Sequence, residues 1–527
     1  MQTNTLVVRF GSLGDVILTS ATVLSLKIAY PGSRLTYLTK ERFRSVVEMF
    51  DGVDKVVTVS EHASTRDLIR ILLDLDNCRF DRVVDLHGNF RSWLARSIIT
   101  ANHTVIYPKR RVERWRMTLK RKTLPSEYPH TIDLYNQAIS ALDKRAVCRR
   151  PVMYPPALDE QFDRLLATDR PIVVIAPGAA YPNKAWPIER FMQVARGLCE
   201  DNGVRVLFAV TSDDPNCQIL NSGANTSDLL TLTDCPLDQL AAIVIRAKLV
   251  VANDSGVAHL ASAVGTPTLA IFGPTHPALG FAPRGLRDRV VEVDEPCRPC
   301  SRHGRKLCYR DERYCFTRIT TENVLEQAAE ILEVSITLTP ALFVDRDGTV
   351  IENKHYLADP DGVELIEGAA SVLKQARESG YKIVVVSNQS GVARGYYSIN
   401  DVERVNARML ELLAAEGATV DAVYYCPHHE REGRVKQFRV ACDCRKPGSG
   451  MGEAAALDLG INLRESIVVG DSLADINLGR VLGARPILIR TGHGSKAQFE
   501  AGDELERLGI TVVDTIGETL SCLSLKN

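Results

Sequence analysis

The chain is predicted to be an α/β protein built from parallel sheets covered by helices, and three features of its sequence carry that prediction. Short β-branched runs alternate with helical patterns along its length. Several of these runs end in an acid, a hydroxyl or a glycine, at the point where a parallel sheet presents its carboxyl edge to ligands. At 527 residues the chain also exceeds a single hydrophobic core and divides into three units, each on the order of 150 residues.

In the first two units, strands are expected at 5–10, 34–38, 82–85, 172–176, 205–210, 249–251 and 268–272. The Pro-rich stretch Arg150-Pro-Val-Met-Tyr-Pro-Pro156 separates two sets of elements, and a helical pattern over 321–333 runs into Ser335-Ile-Thr-Leu-Thr-Pro340. The expected boundaries are therefore 1–160, 161–337 and 338–527. No internal repeat or low-complexity tract interrupts them.

Composition narrows the function. A net charge of −1 argues against a dedicated nucleic-acid binder. The chain enters Leu6-Val-Val-Arg-Phe10 without a basic leader and has no apolar run near the ~20 residues of a membrane span, so a cytoplasmic location is expected. Seven of the thirteen cysteines fall into two clusters, which favours metal or local structural roles over a disulfide framework.

The third unit holds the sharpest pattern. Asp345 and Asp347 lie two apart where the apolar run Ala341-Leu-Phe-Val344 ends, so an extended backbone sends both carboxylates to one side. That arrangement suits phosphoryl transfer, with one carboxylate as nucleophile and the other as proton donor. A second run ends in Ser387-Asn388, and a third, Ile467-Val-Val-Gly, ends in Asp471 with Asp475 four residues on. Lys446 lies between them in sequence and offers a cation to the phosphoryl oxygens. Polar strand ends are common singly, but this ordered set assembles a Mg²⁺-phosphate site.

Two chelating pairs follow, Cys426-x-His428 and Cys442-x-Cys444. Three thiolates and one imidazole suit tetrahedral Zn²⁺, with all four positions filled, so the ion is read as structural. His429 competes as the nitrogen ligand.

The motifs Asp345-Arg-Asp-Gly-Thr349, Ser387-Asn-Gln-Ser-Gly-Val-Ala-Arg-Gly395, Cys426-Pro-His-His429 and Cys442-Asp-Cys-Arg-Lys-Pro447 resemble those of the D-glycero-D-manno-heptose 1,7-bisphosphate 7-phosphatases, within the haloacid dehalogenase (HAD) superfamily. The resemblance spans residues 341–495. It implies Asp345 as nucleophile, Asp347 as general acid/base, and Mg²⁺ held by Asp345, Asp471 and the carbonyl of Asp347. It places Ser387, Asn388 and Lys446 at the phosphoryl group, Arg445 on the substrate, and His428 rather than His429 on zinc. Ser387 stands where Thr is common, and Ser472 where relatives often carry Lys. Histidinol-phosphate phosphatases share the Asp-x-Asp site and the zinc loop, and supply the alternative substrate.

The first two units pose a separate problem. Phe10-Gly-Ser-Leu-Gly-Asp15 joins a strand to a helix-like run, but its spacing is not that of the dinucleotide fingerprint. Read alone, Asp15 is a helix-cap carboxylate. Further on come Ala176-Pro-Gly-Ala-Ala-Tyr-Pro-Asn-Lys184-Ala-Trp-Pro187, the strand–turn–helix segment Val250-Val-Ala-Asn-Asp254-Ser255-Gly256-Val-Ala-His259, and Ile271-Phe-Gly-Pro-Thr275. A helix N-terminus there favours a diphosphate, with Lys184 to neutralise it. Together with Asp85-Leu-His-Gly-Asn-Phe-Arg91-Ser, these segments resemble the ADP-heptose:lipopolysaccharide heptosyltransferases. That resemblance implies a GT-B fold, two Rossmann-like domains facing a cleft, followed here by the HAD-type Rossmannoid phosphatase with its zinc loop. It makes Asp15 the base on the acceptor hydroxyl. Lys184, Asp254, Ser255, Gly256, His259 and Thr275 become the site for the ADP-heptose donor.

Two features fall outside these motifs. Cys297-x2-Cys300-x7-Cys308-x6-Cys315 leaves zinc, disulfide and thiol roles open. Between Lys109 and Lys122 lie eight Lys/Arg residues and one Glu, with Trp115, Met117 and Leu119 among them, which suits either anionic lipid or a solvated face. The expected whole is a bifunctional enzyme of lipopolysaccharide inner-core synthesis. One region would transfer heptose to a lipid A–Kdo/heptose acceptor at the inner face of the membrane, and the other would dephosphorylate heptose bisphosphate. The alternative, one region serving only as an inactive sugar-phosphate-binding scaffold, is opposed by the intact acid, hydroxyl, Lys and acid set of the phosphatase and by Asp15 and Lys184 of the transferase.

Overall fold

The computed structural model describes residues 3–119, 128–223 and 226–523. They form two compact units, Met1–Ile336 and Thr337–Asn527.

The first unit carries two parallel sheets. Strands β1 (Asn4–Val8), β2 (Arg34–Lys40), β3 (Lys55–Val59), β4 (Phe80–Asp85) and β5 (Ala101–Ile106) make a sheet of order 3-2-1-4-5. Strands β6 (Ile172–Ala176), β7 (Arg205–Val210), β8 (Leu229–Thr233), β9 (Leu249–Asn253), β10 (Thr268–Ile271) and β11 (Arg289–Val291) make the second, of order 11-10-9-6-7-8. Central strands such as β6 and β9 are buried at every position, as parallel strands covered on both faces must be.

The two sheets' loops meet inside this unit. The helix Leu13–Leu18 after β1 packs against the helix Gly256–Val264 after β9, and the approach is so close that side chains are excluded. A Cβ on Gly14 would stand 2.4 Å from the His259 ring, and one on Gly256 would stand 2.6 Å from Leu13 Cδ2. The Pro-rich stretch runs across the same junction, with Met153 N donating to Ala263 O and Tyr154 N to Met49 O.

The second unit is one parallel sheet of order 14-13-12-15-16-17. It comprises β12 (Ala341–Val344), β13 (Lys382–Asn388), β14 (Ala422–Cys426), β15 (Ile467–Gly470), β16 (Arg485–Ile489) and β17 (Thr511–Val513). In each of the three sheets the strand order reverses once beside the first strand: at β1/β4, β6/β9 and β12/β15. Connections leave such neighbours in opposite directions and open a crevice at the carboxyl edge.

Three expectations change. The first strand ends at Val8, and Phe10 lies in the following loop, while the helix expected over 321–333 runs on to Thr337. The basic segment forms a helix, Arg111–Leu119, and its residues 120–122 lie outside the described residues. Arg114 in that helix is buried: its guanidinium lies 4.5 Å from the Phe281 ring centroid and donates to Thr131 Oγ1, so it belongs to the packing and not to a basic surface.

Candidate active sites

In the second unit the chemistry gathers at the β12/β15 crevice. Asp345 follows β12 directly, and its N–H still pairs with Val469 O of β15. Lys446 Nζ, itself buried, reaches Asp345 Oδ1 at 2.6 Å, Asp475 Oδ1 at 2.5 Å and Val386 O at 2.7 Å. Asp345, Asp471 and Asp475 place carboxylate oxygens within 4.8 Å of one another. Burial pushes Asp345 up to about 8, with Asp475 and Asp471 adding to it against the pull of Lys446. Asp471 is pushed up to about 6, again chiefly by burial. Three buried carboxyl groups crowded against one lysine make a set of hard oxygen donors whose ionised forms a divalent cation would stabilise, which fits Mg²⁺.

Gly348, at φ +89°, makes room for that cluster, since a Cβ there would stand 2.2 Å from Asp471 Oδ2. His493 N donates to the same oxygen at 2.8 Å. Asp475, absent from the expected ligand set, also accepts from Ser472 Oγ at 2.5 Å, so the serine found in place of lysine orients the third carboxylate.

Asp347 faces the same cavity, of about 230 Å³, but its carboxylate turns to different partners. The buried Arg346 donates to both of its oxygens at 3.1 Å, and Gln389 Nε2 donates to Oδ2 at 2.7 Å. Gln389 also donates to Ser387 Oγ at 2.7 Å. Asn388 clamps the Lys446 backbone in both directions, accepting from its N–H at 2.9 Å and donating to its carbonyl at 3.1 Å. Its side chain therefore positions the lysine. The cavity rim carries His355 and Tyr356, two consecutive residues with φ of 47° and 64°, a backbone region bulky side chains avoid.

Cys426, His428, Cys442 and Cys444 also bring their ligand atoms within 4.8 Å of one another. The Cys426 sulfur lies 3.5 Å from that of Cys442 and 3.2 Å from that of Cys444, and His428 Nδ1 lies 3.4 Å from Cys444. Zn–S bonds of about 2.3 Å at tetrahedral angles give edges of this order, so the donor set fits zinc. His429 turns away, its Nδ1 accepting from Glu432 N. Arg445 follows the cluster, and its guanidinium donates to His428 O at 3.4 Å.

In the first unit, Asp15 sits at the β1/β4 crevice. Its Oδ2 pairs with Arg9 at 2.6 Å and accepts from Ser12 Oγ, while Oδ1 accepts from Tyr135 at 3.3 Å. Burial would raise this carboxyl, but Arg9 and the Ser12 hydrogen bonds outweigh it and hold Asp15 below its ordinary range. Asp85 is wholly buried and accepts from His87 N, Gly88 N and Arg96, which shapes the loop carrying His87. His87 Nδ1 accepts from Phe10 N at 3.0 Å, and burial pushes the ring down to about 3, so it is neutral.

At the β6/β9 crevice, Lys184 Nζ pairs with Asp254 Oδ2 at 2.6 Å, and Thr275 Oγ1 donates to the same oxygen at 2.7 Å. Lys184 and Asp254, both expected at the donor site, are thus brought together. Ser255 caps the helix Gly256–Val264, and its Oγ is buried without a hydrogen-bond partner, as is His259 Nδ1. These unpaired polar atoms and the helix N-terminus form a cradle for an oxygen-rich ligand.

Residues 68–309 match the model of glycosyltransferase family 9 (heptosyltransferase), and residues 443–519 match a HAD-hydrolase-like family. The chain is 40% identical over 144 residues to a D-glycero-beta-D-manno-heptose-1,7-bisphosphate 7-phosphatase of Rhodopseudomonas palustris, covering 27% of this chain and 79% of that protein. It is 39% identical over 155 residues to the protein of that description in Escherichia coli K12, covering 29% and 80%. A solved glycosyl transferase family 9 structure from Veillonella parvula covers 63% of this chain and 98% of its own at a TM-score of 0.51 and 22% identity, a likeness of fold. The three switch-point crevices thus fall in two recognisable proteins joined end to end: the chain belongs to the heptose-1,7-bisphosphate 7-phosphatase family, and carries a family 9 heptosyltransferase domain ahead of its phosphatase unit.

Proposed function

We propose that the chain is a bifunctional enzyme of lipopolysaccharide core synthesis, releasing the 7-phosphate of D-glycero-D-manno-heptose 1,7-bisphosphate in one unit and transferring heptose from ADP-heptose in the other. The observation that carries the phosphatase reading is the contact of Lys446 with both Asp345 and Asp475 at the head of β12 and β15. A carboxylate oxygen of Asp345 attacks phosphorus while Asp347 gives its proton to the departing sugar oxygen, leaving an aspartyl phosphate. Asp347 then takes a proton from water, which attacks phosphorus and restores the Asp345 carboxylate. Ser387 and Lys446 hold the phosphoryl oxygens, and Arg445 reaches the rest of the substrate. Asp345, Asp471 and the Asp347 carbonyl, with Asp475 beside them, would hold Mg²⁺, which would supply charge neutralisation at the phosphoryl group. Cys426, His428, Cys442 and Cys444 would hold Zn²⁺, which would supply a crosslink setting the loop that bears Arg445 and Lys446.

In the transferase, Asp15 is the base on the acceptor hydroxyl, in an inverting displacement at the anomeric carbon. Its pairing with Arg9 keeps it ionised, and the neutral His87 lies beside it. The diphosphate of the donor lies over Ser255, Gly256 and His259, with Lys184 and Thr275 at its side. The acceptor is presented by the cytoplasmic face of a membrane, which the exposed, stacked Phe90 and Trp93 and the exposed Trp115 and Leu119 would meet. Among the described residues no helix is long and apolar enough to cross that membrane.

The decisive assay compares phosphate release from heptose 1,7-bisphosphate and from histidinol phosphate, with Mg²⁺, in wild type and D345N. The heptose should be preferred, and D345N should lower its turnover by at least about three orders of magnitude. Preference for histidinol phosphate would overturn the substrate assignment.

A further inference from the structure

Between Val291 and Tyr314 the chain runs without helix or strand, an unusual length of irregular backbone inside a compact domain. Its base is pinned by buried charge. Arg298 donates to the carbonyls of Phe272, Gly273 and Thr275 and pairs with Glu292 at 2.7 Å, while the buried Glu295 pairs with Arg310 and Arg318. Beyond that base no hydrophobic cluster among the described residues orders the tip; instead the stretch brings Cys297, Cys300 and Cys308, with Cys315 of the following helix, around one cavity of about 20 Å³. That is room for a single water-sized sphere.

The charges around the cavity are the complement of what four thiolates and a divalent ion would carry. Such a centre has a net charge of −2, and Lys306, Arg310 and Arg313 line the cavity with Glu312 as the one acid. The same stretch also forms a wall of the Lys184 site. A Cβ on Gly304 would stand 2.2 Å from Lys184 Cγ, Arg313 donates to Pro182 O and Ala185 O at 3.3 Å, and Arg305 Nε donates to Tyr181 Oη at 2.6 Å.

We infer that Cys297, Cys300, Cys308 and Cys315 form a second metal site, in which four thiolates clamp one tetrahedral, thiolate-preferring divalent cation, zinc or ferrous iron, and fix the wall beside Lys184. Cys297-x2-Cys300 supplies one chelating pair, and Cys308 and Cys315, which line the same cavity, complete the set. The four sulfurs stand further apart than the ligand atoms of the Cys426 group, which lie within 4.8 Å. Cys315 is held by the helix Tyr314–Thr317 and the core beneath it, so drawing the set onto an ion moves the irregular backbone that carries Cys297, Cys300 and Cys308 towards it, and the four thiol protons leave as it binds.

The test uses the full-length protein, reduced without oxygen, loaded with excess Zn²⁺ or, separately, Fe²⁺, and desalted. Elemental analysis should give two equivalents of zinc per chain in wild type and one in C300S/C308S, whose phosphate release stays at the wild-type rate. Iron should distinguish which ion the four-cysteine site prefers. Metal loading should also slow tryptic cleavage after the exposed Arg302, Arg305 and Lys306 about tenfold in wild type, with no such protection in C300S/C308S. Equal metal content in wild type and C300S/C308S overturns the proposal. Should C300S/C308S not fold, a wild-type count of one equivalent, or cleavage unaffected by metal, overturns it equally.

Discussion

At the scale of single residues, Gln389 joins the two halves of the phosphatase centre. Its amide donates to both Asp347 and Ser387, and its own oxygen accepts from Tyr397 at 2.7 Å. Q389A frees the Asp347 carboxylate to swing, so kcat should fall roughly tenfold with little change in KM, and the acid limb of the pH–rate profile should move. Y397F removes only the outer hydrogen bond and should show a smaller loss of the same kind. An unchanged profile in Q389A would mean that Arg346 alone holds Asp347. Gln389 and Arg346 were not legible in the sequence as parts of this site, whereas Asp345, Asp471 and Lys446 were. A carboxylate at the end of an apolar run announces itself by position, and Lys446 by the Cys-x-Cys-Arg-Lys-Pro motif that carries it, while a side chain that orients another follows no spacing rule. Lys184 illustrates the same limit from the other side: its place in a loop after β6 was readable, but its pairing with Asp254 depends on a contact between segments seventy residues apart.

At the scale of elements, the helix Thr131–Ser140 is started by His130, whose Nδ1 accepts from Ile132 N while Nε2 donates to Ala282 O. Both contacts require the neutral ring, and burial pushes His130 down to about 3 from an ordinary 6.5. A depressed folded-state value means that this stability is fully present above pH 6.5 and is lost as pH falls from there toward 3, by up to about 1.4 kcal/mol per pH unit. H130N keeps a capping acceptor and removes the titration. Urea unfolding of the full-length protein at pH 7 and pH 5 should therefore show a smaller pH-dependent loss in H130N, with the slope from His87 remaining. Among the strands, those expected from sequence are the central ones. The strands at the sheet edges, such as β5 with its burial confined to parts of Ala101 and Val105, carry mixed polar and apolar residues and leave no clear period. The third unit's crevice was read from three strand ends; β14, β16 and β17 went unread, although the loop after β16 brings His493 to the cavity.

At the scale of the whole molecule, the proposed membrane encounter rests on charge as well as exposed aromatic rings. Arg111 and Arg116 are exposed on the helix that also carries Trp115. At about 1 kcal/mol per cation near an anionic surface, R111Q/R116Q should lower partition onto phosphatidylglycerol vesicles about thirtyfold and leave phosphate release untouched. Co-sedimentation at low and high salt measures this, and equal binding by wild type and variant would exclude the face as the contact. The sheets themselves carry a different consequence. Among the described residues, three open parallel sheets offer six borders, and parallel sheets form slowly enough to expose such borders during synthesis. Two of the six, β11 and β17, are only three residues long, and β5 carries the polar Asn102, His103 and Thr104 in exposed positions. Each sheet therefore has one blunted border, at β5, β11 or β17, which gives a nascent chain little on which to template a wrong partner there and leaves mispairing to the opposite border.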